Sequence, residues 1–212
     1  MSFEKRELNH LVSAIIILTA VAGFSFILLS NWNALAWTFV FATMIIAISV
    51  FSKKITAYLL DADVEHQLWT IENYGWKSYQ HFQSPIPASI IFPLAFTLFT
   101  LGKFKLTTLL TYETRALKVR AARRFGFYSY TEMTEWHNGL IGAIGVISLL
   151  ILSSISYIYG AEYLAKLAAY YAFFSMIPIS NLDGTQIFFG SRILWTCLAV
   201  IVTIFAAYAL IL

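Results

Sequence analysis

The sequence predicts an all-α protein, a polytopic transmembrane helix bundle of about five full spans plus one re-entrant or interfacial segment. Three observations carry that reading. The 212 residues are 59% hydrophobic and only 12% charged, and the mean hydropathy of +0.74 is far above what a water-facing surface requires. Five runs are apolar enough to cross a bilayer core of about 30 Å: 11–29, 34–51, 139–159, 163–179 and 193–212. Lys and Arg gather between particular runs, as they do in cytoplasmic loops. No linker, repeat or low-complexity tract divides the chain, so 1–212 reads as one integral membrane domain. The single cysteine, Cys197, excludes an intrachain disulfide and a thiolate metal cluster.

The first run follows Lys5 and Arg6 and has no small-residue cleavage site, so it reads as a retained span. The second ends before Lys53, Lys54 and Lys77. The next apolar stretch, "PIPASIIFPLAFTLFTL" at 85–101, is short and carries three prolines. Were it to cross, the basic residues on its two flanks would fall on opposite faces. It therefore reads as a re-entrant or interfacial element whose irregular backbone is covered by protein. The segment 102–136 is the basic cytoplasmic part, with Lys103, Lys105, Arg115, Lys118, Arg120, Arg123 and Arg124. Leu106, Leu109, Leu110, Leu117 and Val119 interleave with these cations. That mixture suits anionic lipid headgroups over 103–124 rather than nucleic acid. Ser129 and Glu132 have the spacing of a capping box for the third span. The last span starts inside at Arg192, giving a multi-pass protein of the cell membrane with a cytoplasmic N-terminus. Trp37, Trp69 and Trp136 fall near predicted interfaces, where amphipathic rings settle without a cofactor.

One acid stands out. "SMIPISNLDG", Ser175 to Gly184, closes an apolar run with Asp183 at the mouth of the bundle. An acid there is costly unless paired, solvated or metal-bound, which makes it a functional-site candidate. It is equally a candidate helix cap, accepting bonds from free N–H groups near Gly184 and Thr185.

Ile177, Pro178, Leu182, Asp183 and Gly184, with Ser175 in place of the usual asparagine, resemble the second active-site motif of the site-2 protease family of intramembrane zinc metalloproteases. The resemblance extends over roughly 40–212 and implies a site-2-protease-like core, with Asp183 as a zinc ligand. In that family the other two ligands and the general base come from a His-Glu-x-x-His helix. The matching stretch here, "ISVFSKKITAYLLDADVEHQLW", puts Ser49 and Lys53 at the histidine positions and Val50 at the glutamate position. None of these can serve: serine is a poor zinc ligand, lysine a cation, and valine cannot take a proton from water. The four histidines, His10, His66, His81 and His137, include no pair four apart.

Substitute metal ligands could come from Glu132, Glu135 and His137, although His137 lies about 200° around a helix from Glu135. Asp61, Asp63, Glu65 and His66 are a second candidate set, but Asp61 and Glu65, four apart on an amphipathic stretch whose apolar line is Leu60, Val64 and Leu68, read instead as a solvated face. The resemblance thus implies a catalytically silent pseudoprotease with no cofactor, whose partners are the lipid bilayer and a transmembrane helix of another protein. The alternative is an active zinc metalloendopeptidase that holds Zn2+ in a rearranged site. A membrane scaffold or small transporter is the third reading.

Overall fold

Residues 32–59 are apolar with almost no helix breakers, and they form the longest helix of the computed structural model. The structure describes residues 4–73, 81–102, 105–117 and 133–211. Among them are eight helices and four strands. Helix α1 (Lys5–Ala22) gives way at Gly23 to the short α2 (Phe24–Leu28). The break has a packing cause: a Cβ on Gly23 would lie 2.5 Å from Leu35 Cδ1, so α1 meets α3 (Trp32–Leu59) there almost backbone to side chain. Asn31 caps α3, accepting from Ala34 N–H.

The expectation of an all-α chain is corrected at 61–68. Ala62–Leu68 is a strand, β1, and Leu110–Ala116 is its antiparallel partner, β4. The stretch "ADVEHQL" alternates with period two, burying Ala62, Val64 and His66 and turning Asp63, Glu65 and Gln67 the other way. Leu60, Val64 and Leu68 therefore do not form a helical line. Asp61, in the left-handed region at φ 54°, makes the turn from helix to strand. Glu65 reaches across the ladder to Arg115 at 3.0 Å. Strands β2 (Ile71–Asn73) and β3 (His81–Ile86) form a second small ladder.

Residues 88–102 lead away from Trp69, and residues 105–109 lead back to it. Ser89 N–H donates to Trp69 O at 3.0 Å, and Trp69 N–H donates to Leu109 O at 2.9 Å, so one residue holds both ends. Between them α4 (Ala88–Phe99), 12 residues with Pro93 inside, spans about 18 Å, too short for a bilayer core. Gly102, at φ 78°, turns the chain against Phe24 and Ser25, and Lys105 Nζ then reaches Tyr163 Oη at 3.3 Å. Tyr163 in turn donates to Ala22 O, so Lys105 points toward the end of α1 away from Glu7, whereas Arg115 lies on β4. The described part of 103–124 is thus divided between two ends of the bundle. Trp69, expected at an interface, is buried and stacked on Phe92. Lys103, Lys118, Arg120, Arg123, Arg124, Ser129 and Glu132 lie outside the described residues.

Helix α5 (Glu135–Ile158) is the centre of the bundle, packed on α3, α6 (Glu162–Ser175) and α7 (Asp183–Gly190). Gly139, Gly142 and Gly145 repeat every three residues along it and let other groups close in. A Cβ would meet Gly190 Cα at 3.1 Å, Tyr112 Oη at 2.6 Å and Lys53 Cε at 2.5 Å, respectively. Thr134 caps this helix, its Oγ1 accepting from His137 N–H. The core gathers Leu18, Ile45, Ile46, Leu149, Leu167 and Val202 from five helices, the last from α8 (Arg192–Ile211).

Among the described residues three helices, α3, α5 and α8, are long and apolar enough to cross a membrane. Their outward sides expose Phe39, Met44 and Phe51, Ile147, Ile151 and Ile155, and Val200, Ile201 and Ile204, a surface suited to lipid rather than water. The runs read at 11–29 and 163–179 correspond to α1 with α2 and to α6. The first carries charge in its opening turn, and the second stops after 14 residues, ahead of Pro178.

Among the described glycines Gly184 is the tightest close approach. A Cβ there would sit 2.1 Å from Met176 O, a backbone atom that cannot swing aside. Gly184→Ala is expected to lower stability by about 3 kcal/mol or more. Gly160→Ala, at a left-handed position with no atom within 4 Å, is expected to cost about 1 kcal/mol. Thermal unfolding of the two variants in detergent checks the order.

Candidate functional site

The end of α3 carries two consecutive lysines, both buried, at 2% exposure each. Successive helical residues point about 100° apart, so Lys53 and Lys54 must find different partners. Lys53 Nζ bonds Asp183 Oδ2 at 2.6 Å, across 130 residues of sequence. Lys54 Nζ bonds Glu7 Oε2 at 2.9 Å and Val64 O at 2.9 Å. Glu7 Oε1 in turn accepts from His66 N–H at 3.2 Å and lies 3.0 Å from His66 Nδ1. Two helices, α1 and α7, and the strand β1 are thereby tied to the end of α3.

Local structure aims each group. The chain after α6 folds back through Met176 and the left-handed Ser180 (φ 52°) to start α7 at Asp183. Trp195 Nε1–H donates to Met176 O, pinning that return against α8. Asp183 lies in the first turn of α7, where the helix dipole favours an anion. The capping alternative is corrected: the N-cap is Leu182, with no side-chain cap bond, and the carboxylate turns to Lys53 instead. Its other oxygen, Oδ1, is buried with no hydrogen-bond partner among the described residues. Gly145 clears the path for the Lys53 side chain, and the Tyr112 ring lies 4.8 Å from its ammonium. Tyr112 Oη donates to Asn138 O at 2.7 Å. Burial and the nearby Asp183 charge push that phenol well above its ordinary range, so it remains a donor.

Among the expected site residues, Ser49 and Val50 are buried on α3 within the turn before Lys53, and Lys53 meets Asp183. Glu135 and His137 do not join them. Glu135 is exposed at the start of α5, and the His137 ring Nδ1 pairs with Thr134 Oγ1. Among the described residues no three His, Cys, Asp or Glu side chains gather in a way that could hold a metal ion. Glu132 lies outside those residues. Glu7 and His66 were missed as site members. Glu7 shares one face of α1 with the buried Ala14, Leu18 and Val21, and that spacing is the signal that could have found it. His66 was hidden by reading a period-two segment as a helix.

Comparisons of the chain with family models, with curated proteins and with solved structures gave no match.

His66 is held below the ordinary histidine value, first by burial and then by the positive charge of Lys53, against an opposing pull from Glu7. A depressed value means that the unfolded chain binds the proton more readily than the folded one. His66 thus contributes stability above the unfolded value of about 6.5, and that stability is lost as pH falls from there toward the folded value. Stability measured from pH 7.5 downward is expected to decline in this window. In His66→Gln the decline should shrink, because glutamine does not titrate.

Proposed function

We propose that the chain is a catalytically silent relative of the site-2 proteases that binds a transmembrane helix of another protein. The observation that carries this reading is the Lys53–Asp183 bond of 2.6 Å. The resemblance aligns Lys53 with a histidine ligand and Asp183 with the third ligand, and these two residues, far apart in sequence, touch. An ammonium stands where the family holds a dication, and it satisfies the charge that the metal would otherwise satisfy.

In the membrane the chain is proposed to make five crossings with its N-terminus inside. The support is that Glu7, Lys54, His66 and Asp183 converge at one end of the bundle. That convergence requires an even number of crossings between α3 and α7, which α5 and α6 supply. That Ser89 and Leu109 both bond the Trp69 backbone supports a re-entrant rather than a crossing element between them. Anionic lipid headgroups are the proposed contact of the basic residues in 103–124 that sit at the cytoplasmic end. No cofactor is needed for this role; Zn2+ belongs to the active-protease alternative.

Catalytic zinc requires three protein ligands and an activated water. Metal analysis of the purified protein is expected to find no stoichiometric zinc, and incubation with single-span peptides to give no cleavage. One equivalent of tightly bound zinc, with cleavage abolished by Asp183→Asn, would establish the active enzyme instead.

A further inference from the structure

Helix α6 packs on both α5 and α8, and those two pack far less on each other, so a gap is left between them. The gap is a cavity of about 400 Å3, within the size range of ligand sites. It lies at the start of α6, the end of the bundle away from Asp183. Ala165 of α6 meets there the last turns of α5, with Ser153, Ser154 and Tyr157, and those of α8, with Ile204, Phe205 and Tyr208. The serines are turned to backbone: Ser153 Oγ donates to Ala165 O and Ser154 Oγ to Leu150 O, each at 2.9 Å. A hollow of this kind gives water little to bond. Even an apolar cavity of about 150 Å3 stays dry and takes up benzene, and this one has more than twice that volume.

The Tyr157 and Tyr208 rings meet edge to face at 5.5 Å. Tyrosines settle where the hydrocarbon core of a bilayer meets the headgroups. Ser153 and Ile204, each four residues back along its helix, then lie about 6 Å deeper. Tyr157, Ile204 and Tyr208 are exposed, and Ile204 belongs to the lipid-facing side of α8, so the cavity is continuous with that surface.

We propose that this cavity binds one acyl chain of a membrane phospholipid, which enters between α5 and α8 beneath the tyrosine pair. The lining spans residues 153–158 of α5 and 204–209 of α8, under two turns of each. That is a slot for a hydrocarbon chain rather than a groove for a helix, whose diameter with side chains is roughly 10–12 Å. The site needs only that α5 and α8 lie in a bilayer, and it is separate from the Lys53–Asp183 pair and from any metal or partner helix bound at the other end. A lipid tail gains no hydrophobic energy by leaving its neighbours, which are equally apolar. It gains the dispersion contacts of a lining that would otherwise face a void.

The test titrates the delipidated full chain, in a short-chain detergent, with palmitoyl-oleoyl phosphatidylcholine and counts bound lipids by native mass spectrometry. The first equivalent is expected to bind roughly tenfold more tightly than the second. Dihexanoyl phosphatidylcholine, with the same headgroup on short chains, should show no such distinct first equivalent. Ser154→Phe and Ala209→Leu fill the cavity from α5 and from α8, and each should abolish the tight equivalent while still melting cooperatively. Ala209→Leu, a smaller change near the chain end, carries the test if Ser154→Phe does not fold. Val200→Phe, on the exposed side of α8 outside the cavity, should bind as the parent does. Equal affinity for all equivalents, a distinct first equivalent of the short-chain lipid, or undiminished binding in the filled variants would each overturn the proposal. So would a tight equivalent of oleate with none of the phospholipid, or a single-span peptide whose binding, rather than the lipid's, is lost in the filled variants. The count does not depend on metal, so the presence or absence of zinc bears only on the silent-protease reading.

Discussion

Two adjacent lysines buried at one helix end constrain everything around them. Moving an ion out of water costs several kcal/mol even after relaxation, so a chain that buries Lys53 and Lys54 must bring acids to both. It does so from two distant places, Glu7 at the start of α1 and Asp183 at the start of α7. Neither acid is local, so the pairs fix long-range geometry: α1 must run antiparallel to α3, and the return after α6 must deliver α7 to the same level. A lysine and an acid on each side leave the cluster electrically balanced, with His66 kept neutral by burial. Pairs of this kind add little net stability relative to apolar packing, but they penalise any arrangement that separates them.

The glycines serve the same constraint. Gly145 gives the Lys53 side chain a corridor past α5, Gly142 admits the Tyr112 hydroxyl, and Gly139 with Gly190 lets α5 and α7 cross in backbone contact. The small residues of α5 are thus legible as a packing face, whereas composition alone showed only an apolar run. Trp69 does comparable work for the irregular part. Its own backbone groups hold Ser89 at the start of the proline-bearing helix α4 and Leu109 just before β4, so both are fixed at one place.

The helical runs 34–51, 139–159 and 193–212 were legible in the sequence because apolar length alone specifies them, and α3, α5 and α8 occupy them. The ladder of β1 with β4 was not legible. Each strand is seven residues long, and the partners are separated by residues 69–109, so no local signal announces the pairing. Asp183 was legible as an anomaly, an acid in a chain poor in charge, and its two possible roles were separated only by the position of Lys53. Glu7 stood among charges expected to flank a span, and its apolar-face spacing was masked by Lys5 and Arg6 beside it. His66 needed the strand to be found first.

A double-mutant cycle on Lys53 and Asp183 probes the ion pair directly. If the two residues neutralise each other in a site without metal, Lys53→Met and Asp183→Leu should each destabilise the protein by about 3–5 kcal/mol, because each leaves one buried charge alone. The double variant should then cost less than either single change, a coupling of several kcal/mol between positions 53 and 183. Additive losses, with the double variant as unstable as the two single changes summed, would show that the residues do not depend on each other and that the buried pair does not hold the site together.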